Sequence, residues 1–427
     1  MAQIAMFLAR SPGPPMTGRK AVINTAIAAL TREHHDVDLF ILAKRQPAPA
    51  YGREAFWLGT VPKVRMLCNA ASSILAGGYS LNEALFRSRR LLARVRGLGS
   101  VYDFAIADTI RAAPYADELG VPWHLDLDDL FSARYEKYLE QPGQLSADLV
   151  LGYYRNSVPQ GASAVPKAVL RRVLKSEAAR LRRREVYWAR KATTVSLVSP
   201  DDAESFAQVA SRQVHSLPMS VHIPARRWRP GGAVGGSARA AFLGGLDYKP
   251  NLDALLYYQE KIFPLLKAVS GATPILDHIG NSPPELRMKF LPEVVSFDGY
   301  VTDLVPRLSG AAFFVAPIVS GTGIKTKVLE AMEIGLPVLA TRHAVAGLKV
   351  EHKKHCFVCE RPAEFPEGMQ YLSNPLVAQE MGLNARKYVQ ANFSIDVLTQ
   401  RWSDVIRDLA ASAGAPKTVW RQACSTP

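Results

Sequence analysis

Cysteine is scarce in this chain, with four in 427 residues. That is too few for a disulfide framework and fits a reducing, cytoplasmic compartment. Long apolar runs are missing as well. No stretch approaches the roughly 18–20 apolar residues of a membrane span. The start, MAQIAMFLARSPGPP, has no basic segment ahead of an apolar core and breaks at Pro12. It reads as a first β-strand rather than a secretory leader. Acidic residues are the third shortage: 38 Asp/Glu against 52 Lys/Arg leave a net charge of +14. The imbalance lies in residues 1–237, which hold 32 Lys/Arg against 20 Asp/Glu, +12 of that total. A positive surface suits phosphates, in nucleic acid, anionic lipid headgroups or a pyrophosphate-linked acceptor. No recognised nucleic-acid module accompanies the charge, so nucleic acid is not expected as a partner.

What is present is a soluble, globular composition, 48% apolar and 21% charged. The length calls for two domains. Short apolar runs alternate with helical periods in both halves, which implies parallel, doubly wound α/β sheets. A Pro/Gly-rich stretch places the linker near 223–238. The expected layout is an N-terminal acceptor-binding domain over 1–230, a C-terminal nucleotide-binding domain over 238–395, a crossover helix over 396–413 and a tail over 414–427.

Residues 313–341, FFVAPIVSGTGIKTKVLEAMEIGLPVLAT, organise the rest. Phe313–Ile318 reads as a buried strand and Ser320–Gly323 as a glycine-rich turn. Ile324–Ile334 has helical spacing, with Gly335 and Pro337 to stop it. Val338–Thr341 reads as a second strand. A glycine turn at a helix N-terminus favours an anion such as a phosphate, and glycine lets the backbone come close to it. Ile324, Val328 and Met332 should face the core, with Thr326 and Glu330 on roughly the opposite face. Lys325 and Lys327 sit in the first turn, where the helix dipole disfavours cations unless an anion offsets them.

The phrase LEAMEIGLPV followed by LAT resembles the donor-site signature of the retaining glycosyltransferases of family 4. FLGGLDYKPNLDALLYY (242–258) resembles the first strand and helix of that family's C-terminal domain, and FDGYVTDL (297–304) its turn near the nucleobase. The resemblance implies a GT-B fold, with two Rossmann-like domains facing across a cleft and a last helix returning to the first. It implies a nucleotide-sugar donor as substrate, with no cofactor and no metal. It carries donor-binding roles onto Gly18, Gly245, Gly280, Tyr300, Val301, Gly321, Thr322, Gly323, Lys325, Thr326 and Glu330. Glu330 would accept from the ribose hydroxyls, while the turn N–H groups and Lys325 would hold the diphosphate.

WHLDLDDLFSARYEKY (123–138) is the matching N-terminal piece. It begins as a strand with His124, Asp126 and Asp128 on one face and Leu125 and Leu127 on the other. Asp-x-x-Ser-x-Arg-Tyr from Asp129 resembles the family's acceptor-side loop, so Asp129 and Asp128 join Lys325 as catalytic candidates. Asp126-Leu127-Asp128 also spells the Asp-x-Asp metal motif of unrelated glycosyltransferases, a match short enough to arise by chance. Two departures from the family stand out. Thr322 occupies the place of the first of two glutamates, and Gly245 and Asn251 occupy the places of a basic pair. Lys325, with Lys327, is the expected substitute for that pair. The departures leave open a non-catalytic GT-B-like scaffold subunit.

Two basic helices suit either an anionic membrane surface or a solvated face. FRSRRLLARVRGL (86–98) offers Phe86, Leu91, Leu92 and Val95. Residues 166–192 hold ten Lys/Arg and two Glu, with a thin stripe at Val169, Val173, Ala179 and Val186. His352-x-x-His355-Cys356-x-x-Cys359 has zinc-like spacing, but on a strand such neighbours point in opposite directions.

Overall fold

The computed structural model describes residues 1–13, 17–44, 54–76, 78–99, 101–140, 167–221, 228, 239–269 and 275–412. The chain forms two compact units. The first holds Met1–Met219 together with the residues from Leu398 on, and the second holds Ser220–Val397.

Among the described residues, the first unit carries β1 (Gln3–Leu8), β2 (Asp36–Ile41), β3 (Glu54–Trp57), β4 (Phe104–Asp108), β5 (Trp123–Asp126), β6 (Thr194–Leu197) and β7 (His215–Ser216). Their order in the sheet is β3-β2-β1-β4-β5-β6-β7, all parallel, with Ile4 opposite both Val37 and Phe104. A parallel sheet with helices on both faces buries nearly every strand residue, which is why β1 and β4 read as continuous apolar runs. It also explains β5. His124, Leu125 and Asp126 are all buried, so the alternation in the sequence does not mark a wet face.

The second unit has β8 (Ala240–Leu243), β9 (Leu276–Ile279), β10 (Val295–Gly299), β11 (Phe313–Ala316), β12 (Val338–Thr341) and β13 (Phe357–Cys359), in the order β10-β9-β8-β11-β12-β13. All of these pairs are parallel too. It takes the chain earlier than the expected linker. Val221 N–H donates to Phe393 O at 2.9 Å, and Trp228 is buried, its N–H on Ile334 O at 3.0 Å and its indole N–H on Ala311 O at 2.7 Å. The rest of 222–238 lies outside the described residues, as does the expected tail.

The last helix, Ile395–Ser412, crosses into the first unit. Trp402, 1% exposed, stands edge-on to His124 with ring centroids 5.2 Å apart, and Arg401 donates to Ser216 O at 3.3 Å.

Of the two basic helices, the first packs on its expected apolar face and the second does not. Phe86, Leu91, Leu92 and Val95 all lie in the first unit's core, so the helix Arg89–Arg96 offers solvent arginines and no apolar face. In the helix Lys167–Lys191, Val169, Val173 and Ala179 are exposed. The buried stripe is Leu170, Leu174, Glu177, Ala178, Leu181, Glu185 and Trp188. Its two buried glutamates act on other helices. Glu177 Oε1 accepts from Leu81 N–H at 2.6 Å and Asn82 N–H at 3.4 Å, at the start of the helix Leu81–Ala84. Glu185 accepts from the Ser132 N–H at 3.1 Å and hydroxyl at 2.5 Å, in the first turn of the helix Phe131–Glu140. Both thus supply the acceptors that helix N-termini lack.

Candidate functional site

In an open parallel sheet, ligands bind beyond the strand C-termini at the point where strand order reverses. In the second unit that point lies between β8 and β11. The segments leaving those strands are Gly244–Gly245 and Ser320–Gly323, the glycine phrases of the sequence.

The first turn is crowded by design. Gly244 has φ +134°, a conformation other residues rarely adopt. A Cβ there would lie 2.5 Å from both Asn251 Nδ2 and Lys327 Nζ. His278, fully buried on β9, donates from Nε2 to Gly244 O at 2.7 Å, since a carbonyl can only accept. Burial pushes this imidazole down, so it stays neutral. Asn251 Nδ2 donates to Gly245 O at 2.7 Å. Gly280 packs directly behind, where a Cβ would lie 2.8 Å from the Gly244 carbonyl carbon, and its N–H donates to Gly299 O at 2.8 Å. Tyr300, 79% exposed, and Val301 follow Gly299 at the end of β10.

The second turn is braced from two sides. Ser320 Oγ donates to Asp253 Oδ2 at 3.0 Å, and His343 Nε2 donates to Gly321 O at 2.8 Å. Gly321 has φ +92° and its absent Cβ faces Pro250 at 3.2 Å, so this turn also requires glycine. Thr322 and Gly323 complete it.

The helix then begins at Thr326, two residues later than its apolar period suggests. Lys325 is the N-cap residue, with Nζ turned onto Gly323 O at 2.6 Å. Lys327 is one residue into the helix and goes elsewhere. Its ammonium donates to Asn251 Oδ1 and lies 4.9 Å from the centroid of the Phe242 ring. Enclosure there pushes it down to about 7, against a smaller opposing pull from Glu330. Glu330 stands three residues on, hence on the same helix face as Lys327. Burial raises its carboxyl, and Lys327 limits the rise. The structure thus brings Gly245, Gly280, the 321–323 turn, Lys325, Thr326 and Glu330 to one sheet edge. It adds Gly244 and His278, which sequence reasoning had not assigned, and joins Asn251 to Lys327.

In the first unit Gly18 opens the helix Gly18–Arg32, and the charge beside it is already committed. Arg19 is buried, with its guanidinium 2.5 Å from Asp108 Oδ1, 3.0 Å from Asp126 Oδ2 and 3.5 Å from Asp128 Oδ1. Asp108 also accepts the Ala9 N–H at 3.1 Å, and Arg19 holds its carboxyl below the usual range despite burial. Asp126 accepts from Asp128 N–H at 3.1 Å and Ser196 Oγ at 3.3 Å; burial beside Asp108 raises it. The Asp126-x-Asp128 pair therefore faces an arginine.

Asp128 has φ +66°, and its carboxyl is pushed up to about 7 by burial and the neighbouring aspartates. Asp129 is gripped by Arg134 through both oxygens. Both lie just past the C-terminal end of β5, the expected place for an acceptor-side carboxylate.

At the zinc-like spacing, His352 Nδ1 accepts from Val358 N–H at 3.1 Å and His355 Nδ1 from Glu351 N–H at 3.0 Å. Both rings are thus held by backbone. Among the described residues, no three His, Cys, Asp or Glu side chains are grouped to hold a metal.

Residues 237–374, about a third of the chain, match the family model described as Glycosyl transferases group 1. Three solved structures share the architecture. Sucrose-phosphate synthase from Thermosynechococcus elongatus has a TM-score of 0.65 at 15% identity, covering 96% of this chain and all of that one. Anabaena HepE in complex with UDP and glucose has a TM-score of 0.60 at 15% identity, covering 94% of this chain and 99% of that one. A mutant of S. aureus TarM in complex with fondaparinux, alpha-GlcNAc-glycerol and UDP has a TM-score of 0.61 at 11% identity, covering 95% and 99%. The fold is GT-B, two parallel-sheet Rossmann-like units with C-terminal helices. A curated relative, an uncharacterized 44.6 kDa protein in the cps region of Klebsiella pneumoniae, is 24% identical over 162 residues. The match covers 36% of this chain and 42% of that protein's length. The family-model match and the shared fold support a GT-B glycosyltransferase.

Proposed function

We propose that the protein transfers a sugar, with retention, from a nucleotide-sugar donor to a glycan or lipid-linked acceptor in polysaccharide or glycoconjugate synthesis. The observation that carries this is the switch point of the second unit, where two glycine turns, a lysine and Glu330 converge. Glu330 suits a ribose, because a carboxylate accepts from two hydroxyls at once. The turn at Gly321–Gly323 and a lysine suit the diphosphate, and neutralising that leaving group lowers the barrier to C–O cleavage without a metal ion. Asp128 and Asp129 are the candidates to orient the acceptor hydroxyl. Retention rests on the LEAMEIGLPV resemblance. The UDP complexes of HepE and TarM and the cps-region relative support the donor class and the pathway class.

Thermal shift with UDP, GDP, ADP and dTDP sugars tests the donor site. At about 100-fold excess over Kd, one family of nucleotides should raise the melting temperature by roughly 5–10 °C. Glu330→Ala should abolish that rise. No stabiliser at millimolar concentration would remove the donor from the proposal.

A lipid-linked acceptor places the protein at the cytoplasmic side of an anionic membrane. No helix among the described residues is long and apolar enough to cross one. The exposed Arg171, Arg172 and Arg183 of the Lys167–Lys191 helix, beside exposed Val169 and Tyr187, support surface contact. Phosphatidylglycerol vesicles should co-sediment the wild type at low salt and release a variant with those three arginines changed to glutamate. Equal sedimentation of the two would take the membrane out of the proposal.

A further inference from the structure

Within the proposed donor site, we infer that Lys327 is the cation that grips the donor diphosphate, standing in from the second turn's helix for the basic residue that Asn251 replaces. The assignment rests on the glycosyltransferase reading and goes beyond it in naming the group.

The argument begins with position. Asn251 stands where a lysine of the family pattern would stand, at the start of the helix Lys249–Tyr257. A neutral amide there cannot neutralise a diphosphate. Its Oδ1 instead receives the ammonium of Lys327, brought from a different helix. The missing charge is thus restored within hydrogen-bond reach of the side chain that lost it.

The surroundings keep the ammonium ready for an anion. Its protein neighbours are an amide oxygen, the face of Phe242 and the backbone of Gly244. The charged and titratable groups facing it are Lys325 and Glu330 from its own helix and His278 from β9, which is neutral. None of these gives it a close carboxylate, and Lys325 repels it. Gly244 leaves room for this arrangement, because a Cβ there would lie 2.5 Å from the lysine nitrogen and would make it shift. Lys325, by contrast, is turned onto the carbonyl of Gly323. An enclosed ammonium that has been pushed down to about 7 regains its proton when a diphosphate arrives, so donor binding takes up a proton in this range.

The test uses UDP-, GDP-, ADP- and dTDP-glucose, whose esterified diphosphates do not titrate near neutrality, and isothermal calorimetry on the full chain. Lys327→Gln should weaken binding of the preferred donor by about ten- to a hundredfold, the range of a charge-assisted hydrogen bond. Lys325→Gln should change it by no more than about threefold. In the wild type, affinity should fall from pH 6.5 to pH 8.5, with proton uptake visible as a buffer-dependent enthalpy. That slope should flatten in Lys327→Gln. Restoring the charge at the family position, in the double variant Asn251→Lys with Lys327→Gln, should recover most of the loss. Circular dichroism melting confirms that each variant folds.

Loss of affinity with neither rescue nor a flattened pH profile would mark Lys327 as structural and overturn the assignment. Unchanged affinity in Lys327→Gln would overturn it while leaving the donor site in place. A folded wild type that binds none of the four would overturn both.

Discussion

Replacing Arg19 with methionine is expected to destabilise the first unit by about 3–5 kcal/mol at pH 8, the cost of removing one partner from a buried ion pair. The reason lies in the charge balance around it. Three carboxylates, Asp108, Asp126 and Asp128, share one guanidinium, and the first two are almost fully buried. Methionine fills much of the volume but leaves those carboxylates facing one another. They would respond by holding protons, so their folded-state pKa values would rise further above the unfolded values. A raised carboxyl contributes stability below its unfolded pKa and loses it as pH climbs through the folded one. The deficit should therefore shrink by several-fold between pH 8 and pH 5 in denaturant titrations of the variant. A deficit that is the same at both pH values would mean the cost is packing alone. Arg19→Lys should recover part of the loss, because one ammonium cannot span three acids as a planar fork does.

That cluster also shows where the sequence was readable. The strand-turn-helix-strand unit of 313–341 was legible because its period, its turn glycines and its stop signal agree locally. The glycine turn, Glu330 and the acidic residues after β5 follow from the same local reading. Arg19 was not legible, since a lysine or arginine after a loop glycine suits solvent as well as it suits an ion pair. Its acids arrive from β4 and β5, about ninety to a hundred residues away in sequence. Lys325 and Lys327 were named together, and which of them turns toward Asn251 was not legible for a smaller reason. Two residues apart on a helix means nearly opposite faces, so a start two residues later than the apolar period suggests decides which one reaches Asn251. In the helix Lys167–Lys191 the true stripe, Leu170-Leu174-Ala178-Leu181-Trp188, has good helical spacing. Glu177 and Glu185 lie inside it, and two acids in an apolar stripe hide its period. In Phe86–Leu98 the apolar period was read correctly, but nothing local told a membrane from the protein's own core.

Those two glutamates carry the last expectation, a stability that falls across the neutral range. Glu177 and Glu185 are each 1% exposed, and burial pushes each up to about 7 from 4.5. In the unfolded chain both release their protons near 4.5, so between there and 7 the folded state holds protons that the unfolded state has lost. Stability must then decrease as pH rises through that window. The decrease is about 1.4 kcal/mol for each pH unit crossed, on the order of 3 kcal/mol per group. The backbone N–H groups of Leu81, Asn82 and Ser132 oppose the rise without cancelling it. Urea titrations at pH 5.5 and 8 should show the first unit more stable at the lower pH. Asp108 works in the opposite direction but in a lower window, because Arg19 holds its carboxyl below the usual range. Glutamine at either position keeps an oxygen for the helix N-termini and removes the proton. Asp128, also pushed up to about 7, adds to the same slope, so Glu185→Gln and Glu177→Gln should each flatten the profile by roughly a third and raise stability at pH 8. If the double variant kept the full slope, the titrating groups would lie elsewhere. Hydrogen exchange locates the effect: at pH 8 the first-turn amides of Phe131–Glu140 should exchange more slowly in Glu185→Gln than in the wild type, after correction for intrinsic rates.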